Sequence, residues 1–220
     1  LVVGEIIMLL RRIPEKSRAA HAGQWLKSAA GCAEIRGKTV GIIGYGHIGS
    51  QVSVLLENLG MSVLFHDIVD TLPLGNARRA NGLEELLKNA DVVTLHVPDT
   101  PETRHLMDAS RIQKMKKGAV LINSSRGKVV DLAALRTALD EGALSGAALD
   151  VFPEEPDQPQ DVFVTPLQGA ANVILTPHIG GSTQEAQVNI ANYVSDKLLR
   201  FMQTGATAGA VNFPEVDLPR

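Results

Sequence analysis

The sequence contains a single cysteine, Cys32, which excludes an intrachain disulfide and a cysteine-rich metal site. No His, Asp and Glu cluster has metal-ligand spacing either, so no metal is expected. There is no excess of charge. Twenty-one basic residues against 24 acidic ones leave a net charge of −3, which argues against nucleic acid or an anionic membrane as a partner. Long apolar runs are missing: the stretch from Ile6 to Leu10 is far too short to span a bilayer. Arg11, Arg12 and Pro14 follow where the small-residue cleavage site of a secretory signal would lie. The setting expected from this is a reducing cytoplasm. An initiating Met is absent too, and the chain opens inside an apolar helical pattern that runs to Leu10. A helix that apolar packs beneath other elements, so the reading is of a piece of a longer protein.

What is present is an ordinary globular core, 45% of 220 residues being hydrophobic. Arg11-Arg12-Ile13-Pro14 breaks the opening helix, and a polar connection carrying the only tryptophan, Trp25, is expected to reach about Gly37. From Lys38 onward short apolar runs alternate with helical patterns, the signature of βαβ units and a parallel sheet. Strands are expected over residues 39–44, 62–67, 91–95, 119–123, 146–150 and 172–175. Helices are expected over 48–59, 83–89, 110–115 and 131–141. Residues 152–169, rich in Pro, Asp, Glu and Gln, read as a long loop of the kind that usually carries function. A long helix over 182–203, with Ser182 or Thr183 as its N-cap, and a proline-containing tail over 210–220 close the chain.

The sharpest motif is Gly44-Tyr45-Gly46-His47-Ile48-Gly49, which follows an apolar strand and opens a helix. In such a fingerprint the first glycine permits a tight turn. The second lets the backbone approach a pyrophosphate, and the third lets helix pack on strand. The diphosphate then rests on unpaired N–H groups at the positive helix end, where the backbone of His47 and Ile48 lies. Asp67 ends the next strand 18 residues after Gly49, the placement of a carboxylate that binds the adenosine ribose. It would repel a 2′-phosphate, and Ile68-Val69-Asp70 supplies no arginine in its stead, so NAD is expected rather than NADP.

Four further clusters fall at predicted strand ends, where open α/β sheets bind ligands. They are His96-Val97-Pro98, Asn123-Ser124-Ser125-Arg126-Gly127, the run from Asp150 to Glu155, and Thr176-Pro177-His178-Ile179-Gly180-Gly181. Together with Gly44, Gly46, His47, Ile48, Gly49 and Asp67, the candidate cofactor contacts are His96, Val97, Pro98, Ser124, Ser125, Arg126, Asp150, His178, Gly180 and Gly181.

With these motifs in this order, essentially the whole chain resembles the D-isomer-specific 2-hydroxyacid dehydrogenase family. The resemblance implies a Rossmann-type doubly wound parallel sheet, residues 37–181, as the dinucleotide-binding domain. Residues 1–36 would be a linking helix and connection with a dimer contact, and 182–220 a returning helix and tail. The flanking helices would bridge to a substrate domain absent from these residues. It also implies catalysis by Arg126, Glu155 and His178. His178 would take the hydroxyl proton as hydride leaves, Glu155 would hold its other ring nitrogen, and Arg126 would offer a fork of donors to the carboxylate and the developing carbonyl. Alternatives stay open: His178 as a strand-end cap, Arg126 as an anchor for an acidic loop, Glu154 in place of Glu155, and Asp150 as a turn cap. Within the family, the fingerprint, residues 178–187 and residues 210–216 are most similar to members acting on 3-phosphoglycerate. Another D-2-hydroxyacid is the alternative, and an NAD-sensing interaction protein is a reading of a different class. Trp25 is expected at an inter-subunit contact, making a homodimer or higher homo-oligomer.

Overall fold

A computed structural model describes residues 1–158, 160–210, 213, 214 and 216. It divides into two compact units, Leu1–Pro177 and His178–Arg220. In the first, strands β1 (Thr39–Ile43), β2 (Ser62–His66), β3 (Arg78–Arg79), β4 (Val92–Leu95), β5 (Ala119–Asn123), β6 (Leu144–Leu149) and β7 (Val173–Leu175) form one sheet. Its order is β3-β2-β1-β4-β5-β6-β7, and every pairing is parallel. The chain therefore leaves β1 toward β2 and returns to β4 on its other side, which makes the β1/β4 boundary the topological switch point.

Both faces of the sheet are covered, as all-parallel sheets require. Successive strand residues point to opposite faces, and the core splits accordingly. Val92, Val120 and Ala148 join Ile6 and Leu9 of α1 (Val2–Leu10) and Leu56 of α3 (His47–Asn58). Their neighbours Val93, Leu121 and Ala147 join Leu86 and Leu87 of α4 (Leu83–Asn89), Ile112 of α5 (Ala109–Gln113) and Leu135 of α6 (Leu132–Asp140).

Two elements depart from the expected pattern. The polar connection after α1 contains a second helix, α2 (Ile13–His21). Arg12, at φ 52°, breaks the chain between the two helices. Pro14 then sits in the first turn of α2, where a missing N–H costs nothing, so it opens a helix rather than only ending one. β3 likewise lies outside the expected strands. It is two arginines long and exists only through its pairing with Leu64 and Phe65. Residues 152–169 contain no helix or strand among the described residues.

The second unit is dominated by α7 (Gln184–Thr204), capped by Thr183, whose Oγ1 accepts from the Ala186 N–H at 3.0 Å. It ends at Gly205, φ 71°, a left-handed conformation that suits glycine. Of the expected tail, residues 211, 212, 215 and 217–220 lie outside the described residues.

Candidate functional site

All strands run the same way, so the loops that follow β1, β2, β4, β5, β6 and β7 emerge at one end of the sheet. The fingerprint leaves β1 there. Gly44 has φ 90°, and a Cβ on it would lie 2.3 Å from the His96 carbonyl oxygen. A Cβ on Gly49 would lie 2.1 Å from the Gly44 carbonyl oxygen. These two positions admit only glycine. Gly46 differs, since nothing lies within 4 Å of where its Cβ would be. It is the N-cap of α3 and has no side-chain cap, so the first turn of the helix faces open space through bare backbone. His47 and Ile48 follow in that turn and are exposed. A negatively charged diphosphate fits such a cradle.

Asp67 closes the loop from the other side. Its Oδ2 accepts from the Tyr45 N–H at 2.6 Å and its Oδ1 from the Val69 N–H at 2.8 Å. Each carboxylate oxygen keeps a second lone pair for a ribose hydroxyl. Tyr45 is buried, stacks on Phe65 at 3.9 Å between ring centroids, and donates its hydroxyl hydrogen to Ser53 Oγ at 2.9 Å. The same hydroxyl oxygen accepts from the Leu74 N–H at 3.3 Å, tying the segment after Asp67 to the fingerprint.

At the end of β4 the His96 N–H donates to the Ile43 carbonyl at 2.7 Å, holding this loop against the fingerprint. The ring Nε2 of His96 lies 3.0 Å from Thr94 Oγ1. Burial pushes the imidazole down to a pKa of about 4, which keeps it neutral near physiological pH. Val97 packs against the core, and the Pro98 carbonyl accepts from Thr103 Oγ1 at 2.6 Å.

The loop after β5 is folded by Asn123, which is fully buried. Its Oδ1 accepts from the N–H and hydroxyl of Ser125, at 3.1 and 2.8 Å, and its Nδ2 donates to the Arg126 carbonyl at 3.0 Å. Arg126 is exposed and donates from Nη1 to the Ser125 carbonyl at 2.7 Å. Next to it, a Cβ on Gly127 would lie 2.0 Å from the Phe152 carbonyl. That close approach joins the loop carrying Ser124, Ser125 and Arg126 to the loop after β6. Asp150 opens the latter, 1% exposed, and accepts from Thr176 Oγ1 at 2.6 Å. Glu155 Oε1 bends back to accept from the Phe152 N–H at 3.0 Å. Glu154 instead lines a small cavity with His105, Asp131 and Thr165. His178, at φ 54°, and Gly180 and Gly181 open the second unit, where Ser182 Oγ donates to the His178 carbonyl at 3.4 Å.

The NAD-binding domain of the D-isomer specific 2-hydroxyacid dehydrogenases matches residues 3–180. The chain belongs to that family. D-3-phosphoglycerate dehydrogenases of Haemophilus influenzae and Escherichia coli are 55% and 56% identical to it over 219 residues, covering all of this chain and 53% of each relative. The chain thus spans about half the length of those curated relatives. Among solved structures, the NAD-complexed D-isomer specific 2-hydroxyacid dehydrogenase of Lactobacillus delbrueckii superposes with a TM-score of 0.84 at 31% identity, over 96% of this chain and 67% of that one. The NAD complex of a formate dehydrogenase from Staphylococcus aureus gives 0.82 at 32%, over 94% and 62%. The family cofactor is therefore NAD, and the Rossmann-type parallel sheet is the family fold. Among the described residues no helix is long and apolar enough to cross a membrane, and no group of three or more His, Cys, Asp or Glu is placed to hold a metal.

The structure also brings in residues that motif reading passed over. Tyr45, Asn123 and Thr176 lie in or beside the quoted motifs, but what they do depends on partners the sequence does not pair. Arg79 and Glu5 are far from the motifs in sequence, and no sequence signal points to either.

Proposed function

We propose that this chain is the cofactor-binding part of an NAD-dependent dehydrogenase that oxidises 3-phosphoglycerate to 3-phosphohydroxypyruvate. One observation carries the choice of substrate: identity of 55% along the entire chain to a D-3-phosphoglycerate dehydrogenase. The geometry of the first unit supports cofactor binding there. Gly44, Gly46 and Gly49, with the backbone of His47 and Ile48, cradle the diphosphate, and Asp67 takes the adenosine ribose. His96, Val97, Pro98, Ser124, Ser125 and Asp150 are assigned to the path toward the nicotinamide end, and the family resemblance assigns Gly180 and Gly181 to the cofactor as well.

Oxidising a secondary alcohol removes a hydride from carbon and a proton from oxygen. Bound NAD supplies the hydride acceptor. The imidazole of His178 takes the hydroxyl proton as general base. The Glu155 carboxylate orients that ring and offsets the charge it gains. Arg126, whose backbone is fixed by Asn123 and Gly127, presents its fork to the substrate carboxylate and the forming carbonyl. The protein acts as a homodimer or larger assembly, and its single cysteine suits a cytoplasmic setting.

The test is steady-state oxidation of 3-phosphoglycerate beside NADH binding, both measured on the full-length protein, because this chain supplies only the cofactor-binding part and by itself should turn over little. His178→Gln should cut turnover by roughly 10²–10⁴-fold while NADH binding is retained. Glu155→Gln should lower turnover and Glu154→Gln should not; the reverse result moves the carboxylate role to Glu154. Turnover of lactate, glycerate or 2-hydroxyglutarate in preference to 3-phosphoglycerate would reassign the substrate. NADH binding with turnover of none of them would favour an NAD-sensing interaction protein.

A further inference from the structure

We propose that Arg79 is a positioning residue of the adenosine end of the cofactor site: it clamps the turn after β2 and so sets the Asp67 carboxylate that separates NAD from NADP. The proposal rests on the assignment of Asp67 to the ribose.

Arg79 lies on β3, the edge strand, opposite Phe65 in register, and the following N–H, of Ala80, donates to the Phe65 carbonyl at 2.9 Å. From there its guanidinium reaches across the end of β2. Nη2 donates to the Asp67 carbonyl at 2.7 Å, while Nη1 donates to the Val69 carbonyl at 3.1 Å and to Asp70 Oδ1 at 2.9 Å. One planar fork thus holds two main-chain carbonyls on either side of Ile68. Side-chain packing does little to hold the turn in place. Ile68 is 96% exposed and Val69 62%, so no apolar burial pins them. The bonds from the Tyr45 and Val69 N–H groups end on the Asp67 carboxylate and aim the side chain, whereas Arg79 holds the main-chain carbonyls of the turn that carries it.

A carboxylate that must meet ribose hydroxyls depends on the position of its own main chain, because small misplacements are costly in a preorganised site. A lysine at 79 would keep the charge but lose the fork, since an ammonium is a point donor on a flexible stem. The pair with Asp70 is open to water and adds little energy. Its effect is local neutralisation: Asp70 balances the guanidinium, so the arginine can sit behind Asp67 without drawing a 2′-phosphate. The sequence places no arginine beside Asp67; the fold brings one there from 12 residues on, already committed to other acceptors.

The experiment is a fluorescence titration of NADH and NADPH into the wild-type protein, Arg79→Gln, Arg79→Lys, Asp67→Asn and the Asp67→Asn/Arg79→Gln double variant. The readout is the ratio of the two affinities, which a general loss of stability does not move. Arg79→Gln and Asp67→Asn should each lower the preference for NADH by about tenfold or more, and the double variant should fall no further than Asp67→Asn, because with the carboxylate gone there is nothing left to position. Arg79→Lys should follow Arg79→Gln, and it carries the same comparison if the glutamine variant does not fold. A wild-type ratio in the Arg79 variants, or losses that multiply in the double variant, overturns the proposal and leaves the ribose assignment standing. A wild-type ratio in Asp67→Asn overturns both.

Discussion

Glu5 shows how far one side chain can depart from its usual chemistry in this fold. It lies on α1 with no exposed surface, and both carboxyl oxygens are buried without a hydrogen-bond partner among the described residues, as is the Ser124 hydroxyl. Its pKa is pushed up from 4.5 to about 7, chiefly by burial and next by the Asp150 carboxylate. A carboxyl raised in the folded state favours folding only while it stays protonated. Its contribution is full below about pH 4.5 and is lost as pH rises toward 7, because the unfolded chain ionises first. Glu5→Gln removes that dependence. The variant should gain in Tm relative to wild type between pH 5 and pH 8, by about 2–4 °C for each kcal/mol recovered. A Tm difference that stays constant over that range would show that Glu5 is already ionised in the fold. Gly127 tests the opposite limit, space rather than charge. Its added methyl would meet the Phe152 carbonyl, which belongs to main chain and cannot swing aside. Gly127→Ala should cost roughly 1–3 kcal/mol in urea denaturation and lower turnover together, because the same approach places Arg126. Wild-type stability in that variant would show that the two loops part readily.

At the scale of elements, the loop after β5 is followed by a short helix with a strong cap. Asp131 Oδ1 accepts from both Ala133 and Ala134 N–H at 3.0 Å, starting α6, which buries Leu132, Leu135 and Ala138 immediately after the Arg126 loop. Asp131→Ala should lower stability by about 1 kcal/mol, read as a lower urea midpoint at unchanged slope. A midpoint equal to wild type would mean that packing alone starts α6. Helices with a buried apolar face and apolar strands are also the elements legible in the sequence. Residues 83–89 and 119–123 are helix and strand with the expected bounds, because Leu86 and Leu87, or Val120 and Leu121, declare their burial locally. β3 was invisible for the converse reason: Arg78 and Arg79 carry no apolar signal, and a two-residue edge strand is defined by its partner. α2 was hidden by Pro14, whose meaning reverses between a helix interior and a first turn. The candidate site divides the same way. Glycines and strand-end clusters could be read from spacing, whereas the Asn123 network, the Arg79 clamp and buried Glu5 depend on neighbours 3, 12 and about 120 to 145 positions away, a distance spacing rules do not cover.

Over the whole molecule, the first unit leaves one aromatic side chain in water. Trp25 is 85% exposed and its neighbour Leu26 49%, in a segment without helix or strand between α2 and β1. Single exposed aliphatics are common on monomers and need no explanation. An indole is different, because burying it removes about 150–250 Å² from water, and tryptophans are concentrated at the centres of interfaces. The segment is also anchored at its base, where Lys16 Nζ donates to the Leu26 carbonyl at 3.3 Å and pairs with the Ser28 carbonyl as well. Such an arm presents Trp25 outward from a fixed root, which suits a groove on a second copy of the chain. Light scattering should therefore report a dimer or larger species, and Trp25→Ala should shift it toward monomer. Folding of the sheet should be unaffected, since the indole touches none of its core. Because the contact is apolar, added salt should leave the assembly in place, whereas a charge-driven one would weaken. A wild-type protein that stays monomeric at every concentration would show that Trp25 has no subunit to pack against, and the oligomeric reading would fall while the cofactor site stood.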